Sequence, residues 1–310
     1  MSIEILQTAR LHASCEAALS ERYTVHKLHE QADKDAYLAE VAPRIRAHAG
    51  SGVKADLIAR LPKLEIIAGF GVGVDNIDLA AARAAGVRVT NTPDVLNDAV
   101  AELAIGLMIA LARRIPQADR YVRAGQWSAR GAMPLFSELG GKTVGILGLG
   151  RIGKEIATRA QAMKMRVVYH GRSRQPKEPY VYYDSLVAMA RDCDWLVLVA
   201  PGGKATDGIV SRPVLEALGP QGMLVNIARG TLVDEPALVE LLGNGGLGGA
   251  ALDVFEKEPN VPEALLGLDN VVLSPHAGSA THQTRDAMGA TLVANLDAHF
   301  AGNPLISPVV

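Results

Sequence analysis

The 310-residue sequence has few cysteines, few aromatic side chains and little net charge. Its two cysteines, Cys15 and Cys193, lie far apart, which argues against a disulfide framework and is typical of a cytoplasmic protein. The formal net charge is −2 at pH 7 and no long block has one sign. We therefore expect neither nucleic acid nor a membrane surface as a partner.

Long apolar runs are also absent. The most apolar stretch, 99–112, contains Glu102 and is too short to span a bilayer. The first residues, MSIEILQ, carry Glu4 where a signal peptide would be basic and then apolar, so they predict a strand and not a targeting segment.

The apolar residues, 49% of the chain, are distributed in short runs typical of an α/β protein. Five strand candidates occupy residues 1 to about 95, with helical segments between them: IEILQ, YTVHKL, IRAHAG, LEIIAGF and VRVTNT. A second series begins with KTVGILGLG, where 144–147 is the expected strand, and continues with RVVYH, WLVLVA, GMLVNIA, GGAALDV and NVVLSP. Helices are predicted at 151–163, 185–192, 211–218 and 235–243. The alternation predicts a parallel sheet in each half.

Two further helices are expected to join these halves. One follows Asn97 or Asp98, either of which can cap the helix over 99–112. The other spans 281–300 and is predicted to pack back on the first half, because Met288, Leu292, Val293 and Leu296 share one face. The first domain would then be discontinuous.

The segment VGILGLGRIGKEIA has the glycine spacing of a dinucleotide-binding turn between a strand and a helix. Gly148 permits the tight turn, Gly150 lets the backbone approach a pyrophosphate, and Gly153 lets the helix pack closely on the strand. The pyrophosphate would lie on free N–H groups near Arg151 and Ile152. The alternative is a glycine-rich turn without a ligand.

The next strand indicates which dinucleotide is bound. A NAD site usually has Asp or Glu at its end, but this chain has Gly171 there and no acid until Glu178. Arg172, Ser173 and Arg174 follow instead, and such groups bind a 2′-phosphate that a carboxylate would repel. The sequence therefore favours NADP(H) over NAD(H), the alternative being a solvated basic loop.

Polar residues suited to hydride chemistry stand at or just after the ends of three later strands. Arg229 can clamp a carboxylate with two hydrogen bonds. His276 can donate a proton to a carbonyl oxygen, and Glu258 beside it would favour the imidazolium form. Asp253 can accept from a nicotinamide carboxamide. Each residue alone is typical of a loop or a solvated face, so the interpretation depends on the fold bringing them together.

The segments GKTVGILGLGRIGKEIA, VNIARGTLVDEPAL, GAALDVFEKEP and LSPHAGSAT resemble the D-isomer-specific 2-hydroxyacid dehydrogenase family, and the resemblance covers almost the whole chain. It implies two Rossmann-like, doubly wound parallel-sheet domains with the active-site cleft between them. These would be a flavodoxin-like substrate-binding domain of residues 1–97 plus 283–310 and a dinucleotide-binding domain of 98–282. The family is usually homodimeric, and Gly125 to Trp127 fit its dimer arm.

The resemblance also assigns roles. Arg229 is the implied carboxylate-binding arginine, His276 the acid/base and Glu258 its partner; none of the implied residues is a metal ligand. The backbone of Val72 and Gly73 is expected to meet the substrate carboxylate. Further cofactor contacts are expected at Leu149, Pro201, Thr206, Ile227, Ala228, Asp253 and Gly278. The loop PGGKAT, which carries Pro201 and Thr206, departs from the family pattern.

These observations predict an oxidoreductase that reduces a small 2-keto acid, glyoxylate or hydroxypyruvate, with NADPH. The segment HGRSRQ looks like the corresponding region of NADPH-preferring glyoxylate and hydroxypyruvate reductases. Two alternatives stay open: a NAD-linked dehydrogenase of another D-2-hydroxy acid, and a non-enzymatic, dinucleotide-sensing corepressor on the same fold. The sequence does not identify the physiological 2-keto acid or the direction of the reaction.

Overall fold

A computed structural model describes residues 2–310. The described chain forms two compact units, the first comprising residues up to Leu96 together with Ser279–Val310 and the second Asn97–Gly278. The return to the first unit thus falls before the predicted boundary at 282–283. The reason is that Ala277 and Gly278 are hydrogen-bonded to Asp253 within the second unit.

The first unit is built on a five-stranded sheet in the order β2-β1-β3-β4-β5, with every pairing parallel. This is the order of a flavodoxin-like doubly wound sheet. The strands are β1 (Glu4–Gln7), β2 (Thr24–Lys27), β3 (Ile45–Ala49), β4 (Ile66–Ala68) and β5 (Arg88–Thr90). The helices between them are α1 (Ala13–Arg22), α2 (Lys34–Val41), α3 (Ala55–Arg60) and α4 (Leu79–Ala84).

The second unit is built on a seven-stranded parallel sheet in the order β12-β11-β10-β9-β6-β7-β8. Its strands are β6 (Thr143–Leu147), β7 (Arg166–His170), β8 (Val181–Tyr183), β9 (Trp195–Leu198), β10 (Met223–Asn226), β11 (Gly249–Leu252) and β12 (Val271–Leu273). The order reverses between β6 and β9, where a doubly wound sheet binds its ligand. The sequence reading missed β8, since an edge strand of three residues has too little periodicity to be recognised.

Eight helices of the second unit connect or flank these strands. They are α5 (Asn97–Ala112), α6 (Ile115–Arg123), α7 (Gln126–Arg130), α8 (Arg151–Ala162), α9 (Leu186–Asp192), α10 (Arg212–Leu218), α11 (Glu235–Asn244) and α12 (Glu263–Leu266). The prediction of a cap before α5 is wrong, because Asn97 and Asp98 already lie in its first turn. The Asp98 carboxylate instead accepts a hydrogen bond from Arg159 on α8 at 2.5 Å.

The last helix, α13 (His282–Phe300), packs against α1 and β4 of the first unit. Its predicted apolar face is buried, as expected from the spacing: Met288, Leu292, Val293 and Leu296. No helix within residues 2–310 is both long enough and apolar enough to cross a membrane.

Candidate active site

Three neighbouring strands of the second unit bring the predicted catalytic residues to one edge of its sheet. β10, β11 and β12 are adjacent and parallel. Arg229 follows the end of β10, Asp253 follows β11, and His276 follows β12. Because carboxyl ends of parallel strands share an edge, residues far apart in sequence are collected here.

His276 and Glu258 form a hydrogen-bonded pair in which His276 Nδ1 lies 2.7 Å from Glu258 Oε2. The other carboxylate oxygen, Oε1, accepts the backbone N–H of Phe255 at 3.2 Å. Half of the His276 side chain is exposed, compared with 34% of the Glu258 side chain. With Nδ1 held by a carboxylate, the ring can exchange a proton through Nε2.

The buried carboxylate of Asp253 is hydrogen-bonded to the loop that carries His276. Its Oδ1 accepts the Ser274 hydroxyl at 2.6 Å and the Ala277 N–H at 2.7 Å, and its Oδ2 accepts the Gly278 N–H at 2.9 Å. The backbone carbonyl of Asp253 accepts the N–H of His276 at 2.8 Å. These bonds also engage the Gly278 N–H, one of the groups expected to face the cofactor.

The turn that presents Arg229 is shaped by buried Asn226, the last residue of β10. The side-chain oxygen of Asn226 accepts the Ala228 N–H at 3.0 Å, and its amide nitrogen donates to the Arg229 carbonyl at 2.8 Å. Arg229 Nη1 donates to the Ala228 carbonyl at 2.6 Å. Ile227 and Ala228, two of the expected cofactor contacts, are buried in this turn.

Gly230 lets this turn approach the loop after β11. A Cβ on Gly230 would lie 1.9 Å from the carbonyl carbon of Phe255 and 2.3 Å from the nitrogen of Glu256. No side chain can be accommodated against rigid backbone at that distance. The glycine thereby brings the Arg229 turn beside the segment that leads to Glu258.

The glycine-rich turn after β6 has the predicted geometry. Gly148 has φ +100°, and a Cβ there would lie 2.8 Å from the nitrogen of Ala200. A Cβ on Gly153 would lie 2.3 Å from the Gly148 carbonyl oxygen, whereas one on Gly150 would meet nothing within 4 Å. The space above Gly150, at the start of α8, is therefore open to a phosphate group. Leu149 beside it is buried, Arg151 is exposed and Ile152 is partly exposed.

The loop after β7 exposes Arg172, Ser173 and Arg174. Neither guanidinium makes a hydrogen bond or ion pair with any other described residue. Two unpartnered cations beside a neutral Gly171 suit a phosphate dianion better than the diol of a NAD ribose.

Gln175 connects the two loops that would hold the dinucleotide. Its backbone N–H donates to the Tyr169 hydroxyl oxygen at 2.7 Å, and its side-chain amide donates to the Leu149 carbonyl at 2.7 Å. The Tyr182 hydroxyl donates to the Gly171 carbonyl at 3.2 Å. The base of the arginine loop is thus fixed, while the arginine side chains extend into solvent.

The loop after β9 is stabilised internally. The Thr206 hydroxyl lies 2.7 Å from the Pro201 carbonyl oxygen and 3.0 Å from that of Gly203. Its donor is therefore already satisfied, which leaves Thr206 only acceptor capacity toward a ligand. Pro201 is exposed beside it.

In the first unit, Val72 and Gly73 lie on the loop after β4 and are partly exposed. The Asn91 side chain donates to the Val72 carbonyl at 2.9 Å, and the Gly71 N–H donates to the Thr92 hydroxyl at 3.1 Å. These bonds fix the backbone of the loop from the adjacent strand β5.

A cavity of about 330 Å³ adjoins the histidine–glutamate pair. Apart from that pair its wall is mainly apolar: Phe255, Pro259, Val261, Leu266, Leu273, Ser274 and Pro275. No group of three or more histidine, cysteine, aspartate or glutamate residues that could hold a metal ion occurs in the described part of the chain.

Comparison with known proteins decides the family. Residues 105–278 match the model of the D-isomer specific 2-hydroxyacid dehydrogenase NAD binding domain. The chain belongs to this family of dehydrogenases. It is 49% identical to the hydroxyphenylpyruvate reductase of Plectranthus scutellarioides and 47% identical to the glyoxylate/hydroxypyruvate reductase A of Arabidopsis thaliana, covering 100% of this chain and 99% of each relative.

A solved structure extends this similarity to the fold. The NADPH-dependent glyoxylate/hydroxypyruvate reductase of Sinorhizobium meliloti, in complex with NADP and malonate, superposes with a TM-score of 0.96. Its sequence is 42% identical, and the alignment covers 100% of this chain and 97% of that one. The protein is thus a family dehydrogenase with a NAD(P)-binding domain.

Three residues that position the site were missed by the sequence analysis. Asn226 stands in VNIARG, where a buried amide at a strand end signals a structured turn. Gly230 follows Arg229 directly and could have been read as a close-approach glycine. Gln175 offers no such signal, since its bonds depend on where β6 and β7 place Leu149 and Tyr169.

Proposed function

We propose that this protein reduces glyoxylate and hydroxypyruvate to their D-2-hydroxy acids with NADPH. The observation that carries the proposal is the His276–Glu258 pair at the same sheet edge as Arg229. Support comes from the relatives named for this activity and from the NADPH-dependent enzyme of Sinorhizobium meliloti. Written in the direction of reduction, the proposed reaction takes its hydride from the cofactor in its reduced form.

The residues present fit NADPH. The open space at Gly150 and the start of α8 suit the pyrophosphate. Arg172 and Arg174, exposed and unpartnered among the described residues, suit the 2′-phosphate, with Ser173 between them as a hydroxyl donor. Leu149, Arg151, Ile152, Gly153, Pro201, Thr206, Ile227, Ala228 and Gly278 complete the proposed set of contacts.

The proposed chemistry assigns one task to each polar residue. The Arg229 guanidinium holds the substrate carboxylate and polarises the neighbouring carbonyl, and the backbone of Val72 and Gly73 binds the same carboxylate. The His276 imidazolium donates its Nε2 proton to the carbonyl oxygen as the hydride arrives at carbon. Glu258, hydrogen-bonded to Nδ1, fixes the ring orientation and stabilises the imidazolium charge.

The test is a panel of 2-keto acids assayed with NADPH and NADH, following the absorbance of the reduced cofactor. We expect the highest kcat/KM for glyoxylate or hydroxypyruvate with NADPH. Higher efficiency with NADH would contradict the cofactor proposal and support a NAD-linked dehydrogenase. Absence of turnover with every 2-keto acid would contradict the enzymatic proposal and support the corepressor alternative.

Hydroxyphenylpyruvate belongs in the same panel as a second candidate substrate. One relative is a hydroxyphenylpyruvate reductase, and an apolar cavity of about 330 Å³ adjoins His276 in this chain. A cavity of that size falls within the range of small-molecule pockets. If kcat/KM is higher for hydroxyphenylpyruvate than for glyoxylate, the proposed substrate changes from the small keto acids to the aryl one.

We further propose a cytoplasmic homodimer. Large apolar side chains are exposed on α6, on α7 and in the segment before β6, as at many interfaces: Ile115, Val122, Trp127, Leu135 and Phe136. Sedimentation should give twice the chain mass, and Leu135→Asp should shift it toward the monomer.

The buried free thiols Cys15 and Cys193 support a reducing compartment, which fractionation of the source cells would test.

A further inference from the structure

The buried carboxylate of Asp253 is bonded to the loop that carries the proposed acid, and the family resemblance gives it no such task. We propose that Asp253 is a positioning residue that holds the 274–278 loop so that His276 is aimed for proton transfer. The inference rests on the proposed function, because it assumes that His276 is the acid. It differs from a role in cofactor binding, which was the expectation from the sequence.

The backbone of His276 requires such support. Its φ is +52°, in the left-handed region that residues other than glycine rarely adopt. Conformations of this kind persist only where surrounding contacts fix them. Here the residues on both sides are fixed, since Ser274, Ala277 and Gly278 all donate to the Asp253 carboxylate.

Only an ionised carboxylate satisfies all three donors. Asp253 Oδ1 accepts two of them and Oδ2 the third, at distances between 2.6 and 2.9 Å. An asparagine has the same shape, but its NH2 group would face an N–H or O–H donor in place of one oxygen. The site is buried, so water cannot supply the missing acceptor.

The anchor point is itself rigid. Asp253 follows directly on β11, and its backbone N–H donates to the Asn226 carbonyl at 2.9 Å. Its own carbonyl accepts the His276 N–H, so main chain and side chain both hold the loop. Asp253 thereby connects the turn that presents Arg229 with the loop that presents His276.

The decisive experiment is a double-mutant cycle between Asp253→Asn and His276→Ala in the full-length enzyme. A displacement of about 1 Å costs on the order of 10²-fold in rate, so Asp253→Asn should lower kcat by about that factor. In the His276→Ala background the same change should cost less than threefold, because there is no acid left to position. The dissociation constant of NADPH, measured by fluorescence titration, should stay within about twofold of wild type.

Two further variants complete the design. Asp194→Asn is the matched control, since Asp194 also accepts a backbone N–H, that of Thr143 at 2.8 Å, but before β9 at the opposite edge of the sheet. It should leave kcat unchanged. Ser274→Ala removes one of the three donors and should give a smaller loss with the same dependence on His276; it replaces Asp253→Asn if that variant does not fold.

The proposal is overturned if Asp253→Asn weakens NADPH binding tenfold or more and lowers kcat equally with and without His276. That outcome would assign Asp253 to the cofactor. Failure of the proposed function would give a different result. Either wild type would not turn over 2-keto acids, or the His276→Ala variant would be as active as wild type.

Discussion

The carboxyl edges of the two sheets each contain a histidine, and the two histidines are held in opposite ways. In the first unit, His48 on β3 is fully buried, with Nε2 at 3.0 Å from the Thr8 hydroxyl oxygen. Burial lowers the pKa of His48 to about 4. In the second unit, His276 is half exposed and bonded to a carboxylate. Water access and a counter-ion, and not location at a strand end, therefore make a histidine suitable for carrying a proton.

The loops around these histidines differ in the same way. In the first unit Asn91 and Thr92 fix the substrate loop through an amide and a hydroxyl. In the second unit the carboxylates of Asp253 and Glu258 fix their loops through charge-assisted bonds. Charged acceptors form stronger hydrogen bonds than neutral ones. We therefore expect the largest functional losses from changes at the second edge.

The largest expected effect is on proton transfer. His276→Ala should lower kcat for glyoxylate about 10²- to 10⁴-fold at pH 7, the usual contribution of general acid catalysis. NADPH binding, followed by fluorescence, should be retained. His48→Gln is the matched control and should leave kcat within a few-fold of wild type. Equal losses of kcat in the two variants would show that His276 and His48 do not differ in their contribution to proton transfer.

The sequence was sufficient for the fold class, for reasons visible in particular elements. Short, continuous apolar runs marked β6 and β10, and the glycine spacing marked the turn at Gly148. What could not be read were contacts between distant segments. The bond from Gln175 to Leu149 and the clamp of Asp253 on the 274–278 loop arise only once the strand order places those loops side by side.

The start of α5 and the return of the chain to the first unit differ from expectation where residues are bonded to distant parts of the chain. Asn97 or Asp98 was expected to cap α5, but both lie in its first turn, and Asp98 pairs with Arg159 on an adjacent helix. The compact units divide after Gly278, ahead of the predicted boundary at 282–283, and Gly278 is bonded to Asp253 within the second unit. Both differences involve tertiary contacts that local signals do not reveal.

The next effect concerns the free arginines after β7. Arg172→Ala and Arg174→Ala should each raise the KM for NADPH tenfold or more, since a bond to a charged group contributes about 1.5–3 kcal/mol. The KM for NADH should hardly change, because NADH has no 2′-phosphate. Arg191→Ala, an exposed arginine at the end of α9, is the control. Equal losses with both cofactors would contradict the 2′-phosphate assignment.

A smaller effect should appear in stability at acid pH. His48 stays neutral in the fold to about pH 4, whereas in the unfolded chain it takes up a proton near its ordinary pKa of about 6.5. Its contribution to stability is therefore complete above pH 6.5 and is lost as the pH falls toward 4. This group should cost about 2 kcal/mol at pH 5 relative to pH 7.

Urea unfolding of wild type and His48→Gln at both pH values measures that difference. The acid-induced loss should be smaller by about 2 kcal/mol in the variant. His282→Gln, which removes an exposed histidine of the same unit, should retain the full loss. Parallel behaviour of wild type and His48→Gln would show that the buried histidine does not cause the acid sensitivity.

The smallest effect is expected from the counter-ion of His276. Glu258→Gln keeps the shape and a hydrogen-bonding group beside Nδ1 but removes the negative charge that favours imidazolium. Reduction takes a proton from this ring, so kcat for reduction should fall while the KM for NADPH stays unchanged. The pair is partly exposed, so solvent screens the charge and the rate at pH 7 should fall less than tenfold. A solvent isotope effect would establish that proton transfer, and not product release, limits the rate in both proteins. A kcat that stays unchanged under that condition would mean that the charge of Glu258 does not act on proton transfer, and the contrast with His48 would then depend on water access alone.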